Sequence, residues 1–166
     1  SNVRRVDLPV ICSEANLNSA WQNGTDPRLQ QVIGAVWYAE VLRNFMLYNV
    51  NYCLYYTFAS DDSSMWNSST LTKGYGFGMV NMTSPYEEWY PYLTNYLLGN
   101  NSEIGDPIYN AYTSGSNITA LAWKNADHYR ILINWKTRQS INVRVQLQGM
   151  KETVTESKIF RIDSTA

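Results

Sequence analysis

Glu14 is the residue of this sequence that is best placed to do chemistry. It follows the short apolar run Leu8–Ser13, which predicts a buried strand, and an amphipathic helix pattern comes after it. In barrels of alternating strands and helices, side chains at the carboxyl ends of strands face the active site. A lone carboxylate there can serve as a nucleophile, and the setting favours sugar chemistry. The structural alternative is that the Glu14 carboxylate is solvated or acts as a cap.

Four other residues are candidates for contacting a sugar, and each has a structural alternative. Asn16 could position a substrate hydroxyl or form a turn. Tyr56 and Phe58 could line a sugar platform, although core packing of this aromatic strand is the commoner outcome. Trp66 lies in a long Ser, Gly and Asn rich stretch and could stack on a pyranose ring or pin its loop to the surface.

The sequence lacks the residue patterns that triad hydrolysis, phosphate binding and zinc binding require. His128 is the sole histidine and lies beside Asp127 at a predicted hairpin, so the sequence does not support Ser/His/Asp hydrolysis. The glycines of residues 74–78 lack the context of a phosphate-binding loop. Cys12 and Cys53 have no zinc-ligand spacing and are more often buried thiols than a bridge. We therefore expect no metal and no cofactor.

Composition limits the partners. The chain has 166 residues, 45% of them apolar, and its formal charge of −1 leaves its 13 basic residues scattered, so nucleic acid is a poor candidate. The longest apolar stretch, Ala35–Leu47, is interrupted by Glu40, Arg43 and Asn44 and falls short of the roughly 20 residues that span a bilayer. We expect no membrane span.

The sequence contains five Asn-x-Ser/Thr triplets, which predict N-glycosylation in a secreted protein. A chain rich in Asn, Ser and Thr also generates such triplets by chance. The five asparagines are Asn23, Asn67, Asn81, Asn100 and Asn117. Their number favours a secreted or extracellular location.

The first part of the chain predicts two β/α units. Asp26 as N-cap and Pro27 at the first helical position predict a helix that continues to Tyr48, so broadly apolar that it must pack against more than one neighbour. Tyr52–Phe58 predicts a second strand. A capping box at Ser84–Glu87 predicts a second helix to Leu98, with a kink or restart at Pro91.

After Gly105 the apolar period changes to two, which is typical of strands. Alternation is clearest in Ile141–Leu147, where one side is apolar and the other polar. The predicted strands are Ile108–Tyr112, Asn117–Lys124, His128–Trp135, Ile141–Leu147 and Lys158–Ile162. We therefore predict two domains, an α/β domain over residues 1–102 and an all-β antiparallel domain over residues 103–166.

This order of elements resembles the C-terminal third of retaining glycoside hydrolases with a (β/α)8 barrel followed by a β-sandwich, such as relatives of β-xylosidase and α-L-iduronidase. Leu8–Asn16 resembles the seventh barrel strand with its nucleophile, and Tyr55–Ser60 resembles the eighth. The loop up to Gly78–Asn81 would border the sugar site, and Tyr86–Leu98 would be the eighth helix. Ile118–Trp123 and Tyr129–Asn134 are similar to sandwich strands. The implied fold is the last two β/α units of the barrel and a small antiparallel β-sandwich.

The resemblance implies a role for Glu14 and a missing partner. A retaining glycosidase needs a second carboxylate about 5 to 5.5 Å from the nucleophile. In the family it is usually the Glu of an Asn-Glu pair on the fourth strand, and this sequence contains neither. We therefore expect a fragment that works with an N-terminal barrel chain carrying the acid/base, and Arg4-Arg5 weakly indicates a processing region.

Two functions of different classes follow. The first is a secreted retaining glycoside hydrolase acting on a polysaccharide or oligosaccharide, in which this chain supplies the nucleophile and the accessory domain. The second is a non-catalytic secreted glycoprotein module for adhesion or extracellular assembly, which 13 Tyr, 6 Trp and only 16% charged residues suit equally well. A vestigial barrel beside a carbohydrate-binding sandwich is a weaker third option.

Overall fold

A computed structural model describes residues 9–17, 27–60, 78–81, 87–150 and 153–164. The first strand, β1, spans Ile11–Ala15, and the second, β2, spans Tyr52–Tyr55. A 3-10 turn at Pro27–Gln30 and the helix α1, Val32–Leu47, lie between them in the chain. The two strands are parallel neighbours. The predicted order of strand, helix and strand is thus confirmed, with both strands shorter or shifted at their ends.

The start of α1 differs from the prediction. Asp26 lies outside the described residues, and the helix begins at Val32 with Gln31 as an extended N-cap that forms no side-chain capping bond. The preceding 3-10 turn packs so closely on the first turn of α1 that a Cβ on Gly34 would lie 2.7 Å from the carbonyl oxygen of Arg28. Glycine at this position therefore allows the turn and the helix to approach each other.

Two neighbours cover the broadly apolar surface of α1, as its composition predicted. Tyr38 is buried and meets Tyr55 of β2 edge to face, with ring centroids 5.0 Å apart. Further along the helix, Leu42 and Met46 pack against a buried cluster formed by Leu98, Leu121 and Trp123. One helix therefore joins the parallel strands to the rest of the molecule.

The second helix, α2, spans Tyr90–Gly99, so it begins later than the predicted capping box and confirms the restart, not the kink, that was predicted at Pro91. Pro91 lies in its first turn, where a proline has no hydrogen bond to lose, so the proline begins the helix and does not kink it. Ser84 and Pro85 of the predicted capping box lie outside the described residues. Glu87–Glu88 instead forms a short strand, β5, beside β4 at Val80–Asn81, which in turn pairs with β3 at Ala59–Ser60.

The later part of the chain contains an antiparallel sheet of three strands, ordered β6, β7 and β8. These strands span Ile108–Tyr109, Ile118–Asn125 and His128–Trp135, and the hairpin between β7 and β8 places Leu121 opposite Leu132. One face of the sheet packs on α1 and α2, and Leu121 has no exposed surface. The hairpin prediction is confirmed nearly to the residue.

Two predicted strands, Ile141–Leu147 and Lys158–Ile162, are wrong for the described structure, which has neither as a strand. The four alternating apolar side chains of the first segment keep between 43% and 49% of their surface exposed. Alternation supplies an apolar side, but a strand also needs a neighbour for its backbone ladder. The second sheet of a β-sandwich, and the domain boundary at residues 102 and 103, remain predictions.

Candidate functional site

The carboxyl end of β1 contains a bulge that positions Glu14. Cys12 lies opposite Cys53 and Ala15 opposite Tyr55, so two residues of β1, Ser13 and Glu14, face the single residue between them on β2. Bulges redirect side chains and are frequent beside active sites. Both Ser13 and Glu14 are exposed. Within the described ranges, no group forms an ion pair or hydrogen bond with the Glu14 carboxylate.

Asn16 and Tyr56 meet at the same end of the strand pair. The Asn16 amide nitrogen Nδ2 donates to the Tyr56 carbonyl oxygen, and its Oδ1 accepts from the Leu17 backbone at 2.5 Å. The Tyr56 N–H donates to the Ala15 carbonyl at 3.0 Å. The first and the last of these three bonds join the two strand ends directly after Glu14. The predicted contacts of Asn16 and Tyr56 with a substrate stay predictions. In the structure, both residues form hydrogen bonds that hold the ends of β1 and β2 together.

Phe58 belongs to an aromatic surface that continues onto α2. Its ring is 61% exposed and meets Tyr92 edge to face at 6.3 Å, and Tyr92 stacks on Tyr96 at 6.2 Å. The sequence analysis missed the two tyrosines, although their spacing of four residues places them on one side of a helix. Trp66, the other predicted stacking residue, lies outside the described residues.

Tyr55 points away from the candidate site. It packs against Tyr38 of α1, and burial followed by the nearby Tyr38 raises the pKa of Tyr55 well above its usual value. Core packing, the commoner outcome for this aromatic strand, therefore describes Tyr55. Alternate side chains of β2 therefore point to opposite faces, and that of Tyr55 points toward α1.

A groove of about 390 Å³ is lined by Glu87, Glu88, Trp89 and Tyr90, where β5 leads into α2. Trp89 is 4% exposed, and its indole nitrogen has no hydrogen-bond partner in the described part of the chain. Carboxylates beside aromatic rings suit sugar hydroxyls, yet the sequence analysis interpreted Glu87 only as a helix cap. Glu14 is not among the residues that line this groove.

Glu40 of α1 is the contrasting carboxylate. Its Oε1 lies 3.3 Å from Arg43 and 3.2 Å from the Lys136 amine, while its Oε2 accepts from Thr119 at 2.6 Å and from Asn134 at 3.3 Å. Burial alone would raise the pKa of Glu40, but the hydrogen bonds and the Lys136 charge outweigh it and lower that pKa. We call these five residues the Glu40 cluster, and they attach α1 to the sheet.

The glycosylation triplets are placed unevenly. Asn100, at the C-terminal end of α2, and Asn117, just before β7, are exposed. Asn81 belongs to β4, and Asn23 and Asn67 lie outside the described residues. In the described segments no three His, Cys, Asp or Glu side chains cluster as a metal site would require, and no helix is both long and apolar enough to cross a bilayer.

Comparison with known protein families, with curated proteins and with solved structures found no match. The glycoside hydrolase resemblance therefore depends on the residues quoted above and stays a prediction. What the fold itself contributes is the parallel pairing of β1 and β2 and the position of Glu14 at its end.

Proposed function

We propose that this chain supplies the nucleophile of a retaining glycoside hydrolase, with Glu14 as the attacking carboxylate. The observation that carries the proposal is the exposed Glu14 on a bulge at the carboxyl end of a parallel strand. That end of a β/α unit is where barrel enzymes hold their catalytic groups. The proposal also covers the secreted location, which the exposed asparagines of two triplets, Asn100 and Asn117, support.

A nucleophile needs an oxygen that is not already committed to a partner. The Glu14 carboxylate meets this requirement among the described residues, whereas both oxygens of Glu40 accept hydrogen bonds or pair with cations. A carboxylate with the partners of Glu40 would lose hydrogen bonds and ion pairs if one of its oxygens attacked a carbon atom. Glu14 would lose none of that kind, and its neighbours Asn16 and Tyr56 hold the strand ends beside it.

The chemistry requires a second carboxylate. A Glu14 oxygen would attack the anomeric carbon while the glycosidic C–O bond breaks and the leaving oxygen takes a proton from the second group. Water would then cleave the glycosyl ester and return a proton to that group, freeing Glu14. We place the second carboxylate on an N-terminal barrel portion, about 5 to 5.5 Å from Glu14.

The outer side of the β1–β2 pair supports a barrel partner. Ile11, Tyr52 and Leu54 are 53%, 54% and 55% exposed on the side that faces away from α1. Parallel strands are almost always covered on both faces, and a two-stranded pair is marginal by itself. Further parallel strands beside β1 and β2 would cover these side chains and would place Glu14 at the rim of the closed barrel.

The test is to locate the covalent intermediate. The chain, assembled with the N-terminal barrel portion, is incubated with a panel of activated 2-deoxy-2-fluoro glycosides, which form long-lived esters with retaining nucleophiles. Peptide mapping is expected to find the sugar on Glu14. Glu14→Gln should abolish the label and lower kcat by about 1,000-fold or more, because the covalent route is lost.

Glu103→Gln is the matched control, since Glu103 is also an exposed carboxylate but lies in the loop after α2. It should retain the label and the activity. A label on another carboxylate, or turnover by Glu14→Gln within a few-fold of the parent, would refute the nucleophile assignment.

The second candidate is the non-catalytic module for adhesion or extracellular assembly. Its specific support is the apolar outer side of the three-stranded sheet, where Tyr129, Ile131 and Ile133 are 37%, 37% and 38% exposed. The same labelling experiment separates the two functions. A module of this kind would show neither a glycosyl ester nor a loss on changing Glu14.

A further inference from the structure

Cys12 and Cys53 lie directly opposite each other on adjacent strands. They are Cα partners in the parallel register of β1 and β2, and both are half-buried free thiols. Their neighbours Ile11 and Tyr52, which are also partners in register, are exposed on the other side of the pair. Because successive side chains alternate across a strand, the two thiols point to the same side, toward α1.

The strand geometry suits a covalent bridge. Neighbouring strands lie about 4.7–4.9 Å apart, and disulfides join residues whose Cα atoms are about 4.4–6.8 Å apart. Residues that are in register and point to the same side therefore need no backbone movement to become linked. The sequence could not show this, because the cysteines are separated by the whole of α1.

The surroundings of the two thiols differ. The Cys12 sulfur donates to the Glu14 carbonyl oxygen at 3.3 Å. Burial, the nearby Cys12 and a hydrogen bond with it raise the pKa of Cys53 to about 11, so Cys53 is almost entirely a thiol at neutral pH. We therefore expect Cys12 to attack an external oxidant first. Cys53 would then be the resolving thiol, which attacks the mixed disulfide formed on Cys12.

We propose that Cys12 and Cys53 form a disulfide that joins β1 to β2 when the protein meets a disulfide oxidant such as oxidised glutathione. Cys12 loses a proton, and its thiolate attacks oxidised glutathione to form a mixed disulfide and release one glutathione. Cys53 then loses a proton and attacks the Cys12 sulfur, which releases the second glutathione. Two protein thiols are oxidised, and one glutathione disulfide is reduced to two thiols.

The bridge would hold the site end of the strand pair. Cys12 immediately precedes the bulge that contains Ser13 and Glu14, so the link would fix the point from which Glu14 projects. It would also close the chain around α1 and thereby restrict the unfolded state. The inference depends on the register of β1 and β2 and not on the catalytic role of Glu14, so either proposal can fail alone.

The test measures the linkage in the folded chain. The protein is equilibrated in a buffer of oxidised and reduced glutathione with the oxidising balance of a secretory compartment, then alkylated and mapped without reduction. We expect a linked pair of peptides containing Cys12 and Cys53. The ratio of bridged to reduced protein should be at least about tenfold higher than in the same buffer with guanidinium, because folding holds the thiols together.

Single variants provide the controls. Cys53→Ser should accumulate the mixed disulfide of Cys12 with glutathione, and neither Cys53→Ser nor Cys12→Ser should show the rise in Tm on oxidation that the parent shows. A bridge between two molecules, two alkylated thiols in the folded protein, or equal bridging with and without guanidinium would each overturn the proposal.

Discussion

Glu14 and Glu40 lie on successive elements of one β-α-β unit, yet their surroundings are opposite. Glu40 is bound by side chains from α1, from β7 and β8 and from the segment just after β8, and those bonds lower its pKa. Glu14 is exposed at a strand end, with no such bonds among the described residues. A carboxylate that attaches two elements is enclosed by its partners, whereas one available for chemistry must not be.

The same contrast separates the regions around them. The region that contains the Glu40 cluster includes the buried side chains Leu98, Leu121 and Trp123, and the Trp123 indole donates to the Asn101 carbonyl at 2.8 Å. The β1–β2 pair instead exposes half of each apolar side chain on its outer face. The first region contains a buried core, whereas the β1–β2 pair is covered on the face toward α1 and exposed on the other. Substitutions should therefore have unequal effects in the two regions.

The largest difference in stability is expected between two leucines. Leu121→Ala removes a fully buried side chain and should lower the free energy of unfolding of the chain by about 2–5 kcal/mol. Leu54→Ala removes a side chain that is 55% exposed and should lower it by less than about 1 kcal/mol. Urea unfolding followed by circular dichroism measures both. Equal losses would show that the outer face of β2 is already covered in the 166-residue chain.

The Glu40 cluster gives an intermediate effect. Glu40→Ala leaves Thr119, Asn134 and Lys136 without their shared acceptor and should lower the free energy of unfolding by about 1–3 kcal/mol at neutral pH. Glu40→Gln should lower it less, since an amide oxygen still accepts a hydrogen bond. The comparison between the two variants separates the hydrogen bonds from the charge.

The charge contribution of Glu40 should depend on pH. Its folded pKa lies below the ordinary value of 4.5, so the ionised form is stabilised by folding above pH 4.5. That contribution is lost as the pH falls from 4.5 through the lowered folded value. The difference in unfolding free energy between the parent and Glu40→Gln should therefore narrow below pH 4.5. A difference that is constant from pH 7 to pH 3 would contradict the ionic role.

Local patterns predicted the elements that local residues determine. The hairpin of β7 and β8 combines strict alternation with a short turn at Ala126 and Asp127, and His128–Trp135 was predicted with both ends correct. Of the two alternatives predicted for Pro91, the restart is confirmed and the kink is wrong, because a proline in the first turn begins a helix. The Ile141–Leu147 strand was wrong because alternation says nothing about a partner for the backbone.

The contacts between residues distant in sequence were beyond such patterns. Glu40 meets Thr119 and Asn134 across 79 and 94 residues of sequence, and this pairing follows from how α1 docks on the sheet. The register that places Cys12 opposite Cys53 depends in the same way on the return of the chain after α1. The position of Glu14 at a strand end could be predicted because it needs only the end of one apolar run.

The smallest effect on stability is expected at Glu14, and it tests the comparison most directly. Glu14→Gln keeps the shape of the side chain and removes a charge that has no partner in the described structure, so the free energy of unfolding should change by less than about 0.5 kcal/mol. A loss as large as the one expected for Glu40→Ala would mean that the Glu14 carboxylate holds the strand end in place. Glu14 would then have a structural role like that of Glu40. A carboxylate oxygen that is already engaged in stabilising contacts would be a poor nucleophile.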